Sequence, residues 1–433
     1  MDLLTVSMTL TGILVILLGG TIWIGVSLFL AGLAGLMIFT GLPATTIMAN
    51  IAWNNTSSST MLALPLFIFM GEILFRSKIS DNLFKGLAPW MDGIPGRLLH
   101  VNIFACALFA AVSGSSAATT ATVGKITLPE FEKRNYDKKL SLGSLAGSGT
   151  LGFLIPPSMM MLVYGIMADV SIGKLFLAGV IPGVLIALVF SGYVIIRCIA
   201  NPGLAPESAS SYTWGDRVRG IPLLAPVIIL VAVVLGSIYA GWATPTEAAA
   251  VGVVGALFFA ALGRSLTWSV LTDALMGSVK TSCMIMWIVC GAAFLSVAVG
   301  YLGIPRKLTE TIAQAGMSPY TLIVILSIMY LVMGCLLDGF SMIVMSLPIS
   351  LPLIRMAGFD PVWYGIYLVI MIQLAQITPP VGFNLFVING LTGDDLGKIA
   401  MAAMPFFIIL LVITALLTVF PGIVLYLPGL MVQ

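Results

Sequence analysis

The residues able to do chemistry in this chain are few, and they gather in four places. Ser113-Gly114-Ser115-Ser116-Ala117-Ala118-Thr119-Thr120-Ala121-Thr122 sets seven Ser, Thr or Gly residues between apolar runs. Gly334-Cys335-Leu336-Leu337-Asp338-Gly339-Phe340-Ser341 interrupts another apolar run about 225 residues later. Pro156-Pro157 and Pro379-Pro380 break two more. Hydroxyls and backbone carbonyls are hard oxygen ligands where lipid offers none. Proline removes a backbone donor and frees a carbonyl one turn earlier. Helix C-terminal ends attract cations and N-terminal ends attract carboxylates. The candidate cation ligands are therefore Ser113, Ser115, Ser116, Thr119 and Pro156 in the first half, and Asp338, Gly339, Ser341, Thr378 and Pro379 in the second. A lone run of small residues serves equally well as a close helix-packing patch; the second polar interruption favours the ligand reading. A carboxylate at Asp338 is expensive in an apolar segment without a partner. It is either part of an ion site or the cap of the helix that follows.

The remaining polar residues suggest simpler roles. Glu72 reads as interfacial, and Glu247 in Thr244-Pro245-Thr246-Glu247 as a first-turn helix acid. His100, the only histidine, sits at the mouth of an apolar segment with no assigned role, and Asp137, Lys138 and Lys139 read as solvated loop. Met159 to Met161 read as packing, and Trp53, Trp90, Trp214 and Trp363 as interface anchors. The five cysteines lie in or beside apolar segments, as small core residues and not as a disulfide or zinc framework. No G-x-x-x-x-G-K-[ST] loop is present, so ATP is not the direct driver. A lone histidine assembles no catalytic triad. The expectation is a protein that is not an enzyme and carries no organic cofactor.

The elements that position these groups are membrane helices. Hydrophobic residues make up 60% of the chain, charged ones 8%, and mean hydropathy is +1.12, which excludes a water-soluble domain and leaves a lipid bilayer as solvent. Nucleic acid is not an expected partner. Apolar segments fall near 3–19, 22–41, 50–75, 175–196, 221–241, 244–262, 281–300 and 401–428, with proline-broken helices at 143–167 and 363–388. Basic residues flank 98–124 on both sides, which by the positive-inside rule makes it a re-entrant hairpin from the cytoplasm. The basic-poor flanks of 319–354 make that segment a hairpin from the opposite face. Fifteen of the 19 Lys and Arg then lie on the cytoplasmic side, and both termini are periplasmic.

The halves repeat. Gly35 pairs with Gly255 and Gly71 with Gly291 at an offset of 220; the tips pair Gly114 with Gly339 and Ser116 with Ser341 at 225; the double prolines pair at 223. An odd number of crossings per half inverts the second copy. The fold class expected is an all-α polytopic membrane protein with two inverted repeats, 1–197 and 221–433, joined by a cytoplasmic linker 198–220. Each repeat carries a re-entrant hairpin and a broken helix, the plan of secondary transporters.

At Ser113–Gly124 with Pro129-Glu130, Gly149–Ser158, Ser171–Gly183, Gly334–Pro352 and Ile377–Asn384 the chain resembles the large membrane subunit of tripartite ATP-independent periplasmic (TRAP) transporters. The likeness runs through essentially the whole chain. It implies elevator-type import of an organic acid, coupled to sodium, in the bacterial inner membrane. It also implies a periplasmic substrate-binding protein and a small four-helix membrane subunit as partners. Sodium would sit at the two tip-and-break pairs, with Gly114, Thr150, Pro157 and Asn384 as substrate contacts. The alternative is a stand-alone sodium/dicarboxylate symporter that needs no binding protein; a channel and an intramembrane enzyme are the other classes weighed.

Overall fold

The computed structural model describes residues 3–206, 212–314, 316–335, 337–379 and 382–431, and every regular element among them is helical. Helices start where the sequence offers a side-chain oxygen to orphan N–H groups, at Ser115, Asp137, Ser158, Thr213, Thr244, Asp338 and Asp360 among others. Thr213 with Asp216, and Thr244 with Glu247, close full capping boxes. Seven of the described helices are long and apolar enough to cross a membrane. Their outer faces show side chains such as Val254, Phe258 and Val412 outward, as lipid-facing surface requires.

Both polar interruptions separate two helices. Leu98–Ser113 and Ser116–Lys133 form one hairpin, and Pro319–Gly334 and Gly339–Met356 form another. Both proline pairs interrupt helices too. Lys138–Gly149 continues as a 3-10 turn, Thr150–Phe153, before Met159–Ala168 resumes. Pro361–Gln376 gives way to Phe383–Thr392. Leu336, Pro380 and Val381 lie outside the described residues.

The structure differs from the sequence reading at several points. The segment 50–75 is not one span: Ala44–Thr56 ends at Ser57, a short 3-10 turn follows, and Ala63–Arg76 is a separate helix. The basic stretch 76–97 contains the helix Ile79–Met91, whose apolar face packs on Trp214–Tyr239. The linker is shorter than 198–220, because Ile172–Ala200 runs into it and Trp214–Tyr239 starts inside it. Trp363 is no interface anchor. It is 1% exposed and donates its Nε1–H to the Leu417 carbonyl at 2.8 Å.

Helices gather into two packing groups, which meet where Trp268–Tyr301 packs on Gly339–Met356 and Ala63–Arg76 on Leu98–Ser113. In one, Trp268–Tyr301 lies against Ile24–Phe39, Ala44–Thr56 and Ala63–Arg76, and Pro245–Leu262 lies against Ala63–Arg76. The other contains both hairpins and both broken helices, and here the halves interdigitate. The second arm of the first hairpin packs on Phe383–Thr392, the late piece of the second broken helix. The second arm of the second hairpin packs on Met159–Ala168, the late piece of the first.

Candidate functional site: two tips against two breaks

At the first tip only two residues turn the chain. Gly114 takes φ +58°, a left-handed conformation that glycine adopts without steric cost, and Ser115 caps the second arm by accepting Ala118 N–H at 3.4 Å. Ser113 Oγ lies 2.9 Å from Thr119 Oγ1, and Thr119 Oγ1 donates to the Ser115 carbonyl at 2.7 Å. Three of the predicted cation residues thus form one cluster of oxygens. Thr119 and Ser113 are buried.

The first break is built against this tip. A Cβ on Gly152 would stand 2.7 Å from the Ser115 carbonyl, so only glycine lets the 3-10 turn approach so closely. A Cβ on Gly114 would stand 3.1 Å from the Pro157 carbonyl. Pro156 and Pro157 are buried. Thr150 is buried as well, but its hydroxyl is spent on the Gly147 carbonyl of its own helix at 2.7 Å.

Ser116 points across the molecule. Its hydroxyl donates to Asn384 Oδ1 at 2.9 Å, and both residues are fully buried. Asn384 Nδ2 has no hydrogen-bond partner among the described residues. Buried amide donors in native proteins nearly always have one. The sequence makes Asn384 a candidate substrate contact and Ser116 a candidate cation ligand. The structure joins them.

At the second tip Asp338 is the N-cap of Gly339–Met356. Its Oδ2 accepts Phe340 N–H at 3.0 Å, and its Oδ1 accepts the Ser341 hydroxyl. The tip meets its own break through Cys335, whose Sγ–H points at the Pro379 carbonyl at 3.4 Å. Gly339 approaches Ile372 and Met160, one residue from each broken helix. Thr378 Oγ1 is turned back to the Leu374 carbonyl at 2.6 Å, and Pro379 is exposed.

Sequence reading passed over Gln373. It is fully buried in Pro361–Gln376, neither amide atom has a partner among the described residues, and it stands at the break offset from Thr150. An amide inside the apolar run 363–375 was the available signal. His100 also differs from its expected place at the mouth. It is buried, with Nδ1 2.8 Å from Ser191 Oγ and Nε2 2.7 Å from the Pro95 carbonyl. Asp137, Lys138 and Lys139 are not loose loop. Asp137 caps Lys138–Gly149, and Lys138 Nζ reaches Asp394 at 2.7 Å.

Two cavities lie apart from the tips. One of about 510 Å³ is lined by Lys125, Glu132, Lys138, Ser141 and Thr392. The other, about 680 Å³, opens between the packing groups and is lined by Asn54, Asn55, Asp169, Ser171 and Gly241.

An all-helical multi-span protein, with two polar tips laid against two broken helices, defines a membrane permease. A family model described as "Tripartite ATP-independent periplasmic transporter, DctM component" matches residues 10–423. The chain belongs to that family, as the large permease subunit of a TRAP transporter. It is 35% identical over 373 residues to the C4-dicarboxylate TRAP transporter large permease protein DctM of Pseudomonas aeruginosa, covering 86% of each chain. To the protein of the same name from Rhodobacter capsulatus it is 32% identical over 437 residues, 97% of this chain and 98% of that one. Among solved structures, the Alcanivorax borkumensis YdaH transporter matches with a TM-score of 0.63 at 13% identity, over 87% of this chain and 88% of that one. That likeness speaks for the fold alone.

Proposed function

We propose that this subunit imports a small carboxylate, coupled to sodium, from a periplasmic binding protein and beside a small membrane subunit in the bacterial inner membrane. The observation that carries the reading is the buried Ser116–Asn384 contact. It leaves an amide donor, Asn384 Nδ2, free beside a tip made of oxygens. A free N–H donor suits a carboxylate oxygen, and clustered hydroxyls and carbonyls suit an alkali cation. The Ser113, Ser115 and Thr119 oxygens are the first sodium site in this reading. Asp338, Ser341 and the carbonyls near Pro379 are the second. The relatives named for C4-dicarboxylates make a dicarboxylate or sugar acid the first substrate to try.

The crossed packing of the two hairpins on each other's broken helices supports the inverted-repeat plan. The 680 Å³ cleft between packing groups supports an elevator movement of one group past the other.

The test is uptake into proteoliposomes holding both membrane subunits, with the binding protein outside. Uptake should need an inward sodium gradient and persist without ATP. Uptake driven by a proton gradient in sodium-free buffer would sink the cation assignment. Full uptake without any binding protein would instead favour the stand-alone symporter.

A further inference from the structure

Each half carries a side-chain hydrogen bond between the first arm of its hairpin and the early piece of its own broken helix. In the first half Asn102 Nδ2 donates to Ser144 Oγ at 3.0 Å. In the second, Ser327 Oγ and Tyr367 Oη are 2.7 Å apart. Ser327 stands 225 residues after Asn102, the offset that relates the two tips, and Tyr367 stands 223 after Ser144, the offset that relates the two proline pairs. The residue types differ completely between the halves, yet the same two backbone positions are joined.

In the first half the bond also feeds a link between the two arms of the hairpin; in the second a separate arm-to-arm link lies beside it. Thr127 Oγ1 donates to Asn102 Oδ1 at 3.2 Å in the first half. One turn along in the second, Tyr330 Oη donates to Ser346 Oγ at 3.2 Å and meets the Tyr364 hydroxyl. Asn102, Ser144, Tyr330 and Tyr364 are fully buried, and Tyr367 is 3% exposed. Ser327 is half-buried, and its hydroxyl and that of Tyr367 both also donate to the Ile323 carbonyl, at 2.8 and 3.2 Å. Burial of the other groups limits competition from water, so each bond favours one register of its two helices.

We infer that these two bonds are one repeated positioning device, pinning each hairpin to its own broken helix so that tip and break travel together. The hairpins then do not swing as independent gates. Asn102, Ser144, Ser327 and Tyr367 are positioning residues that act through the tips. This inference rests on the proposed transport reading.

Two experiments decide it. In the full complex, with the native cysteines replaced, Asn102→Cys with Ser144→Cys is closed by oxidation or a short bis-thiol reagent. A longer reagent joins Ser327→Cys to Tyr367→Cys. At saturating driving cation, linked and unlinked proteins should take up substrate within about twofold of each other, since the joined helices never separate. Loss of uptake on linking, with recovery on reduction, overturns the device. The comparison holds under whichever gradient drives uptake, so sodium-independent uptake would count against the proposed function while leaving this outcome readable.

The second experiment avoids cysteines. Ser144→Ala and Tyr367→Phe each delete one hydroxyl at matched positions. Each should raise the half-saturating concentration of the driving cation about three- to tenfold, the size of one buried side-chain hydrogen bond. Maximal rate should stay near wild type, the thermal midpoint should fall by no more than one orphaned buried donor or acceptor accounts for, and Ser144→Thr should restore the half-saturation. Unchanged half-saturation in both deletions would also overturn the device.

Discussion

Asn384 and Asp338 test the site at the residue scale. Asn384→Asp keeps an oxygen for the Ser116 hydroxyl but replaces the free donor with a second acceptor. If that donor meets a substrate carboxylate, half-saturating substrate should rise by roughly thirty- to a hundredfold, about 2–3 kcal/mol. A near-normal substrate curve in uptake assays would remove Asn384 from the substrate site. Asp338→Asn keeps an oxygen to cap Phe340 N–H and loses only the charge. Asp338 is half-buried. Screening therefore trims the charge–cation attraction to about 1–2 kcal/mol, or roughly a five- to thirtyfold rise in half-saturating sodium. An unchanged sodium curve at matched expression makes Asp338 a cap and nothing more. At this scale the sequence disclosed which residues are chemically able, because hydroxyls and a carboxylate stand out in apolar surroundings. It did not disclose their partners. The Ser116–Asn384 bond spans 268 positions, and the burial of Trp363 and His100 depends on helices far along the chain.

Element placement depends on close approaches as much as on hydropathy. A Cβ on Gly143 would stand 2.2 Å from the Ala402 carbonyl oxygen, where Lys138–Gly149 crosses Leu396–Val419. Gly143→Ala should therefore cost about 1–3 kcal/mol through forced separation of the two helices, read as a lower thermal midpoint in detergent. An unchanged midpoint would mean that the crossing yields freely. The same helix is held at its start by Lys138 and Asp394, whose carboxyl lies below the usual carboxylate range because Lys138 donates to it. A lowered folded-state pKa contributes stability above the ordinary carboxylate range and loses it as pH falls through the lowered value. Wild type should exceed Asp394→Asn in thermal midpoint at pH 7, and the two should converge below roughly pH 4. With Lys138 69% exposed, the gap should stay within about 1 kcal/mol. The hairpins and broken helices were legible because polar runs and proline pairs are local signals. Ile79–Met91 was not, since Arg76, Lys78 and Arg97 around it and Lys85 within it give 76–97 the composition of a solvated loop, despite the buried Ile79, Leu83 and Leu87. The split at Ser57 falls in Asn54-Asn55-Thr56-Ser57-Ser58-Ser59-Thr60, seven polar residues in a row, a local signal that averaging hydropathy over 50–75 smooths away.

For the whole molecule, the arrangement hangs on which face is cytoplasmic, and charge is the physical handle. Fifteen of 19 Lys and Arg lie on one side of the sequence-derived topology. Translocating Lys and Arg is what membrane insertion resists, so that side should remain inside the cell. The linker and the loop after Trp214–Tyr239 sit at opposite ends of that helix and report on opposite faces. Gly203 in the linker is exposed, and Trp242 beyond the far end is 85% exposed, so a cysteine at either place is open to reagents. With the native cysteines replaced, Gly203→Cys should react in intact spheroplasts only with membrane-permeant maleimides. Trp242→Cys should react with impermeant ones as well. The same orientation puts the 680 Å³ cleft, whose lining includes Gly241 and Ala243, on the periplasmic face where a binding protein would dock. The reverse labelling pattern would turn the molecule over. The first tip would then enter from the periplasm, the cleft would face the cytoplasm, and the direction of transport argued from them would fall together.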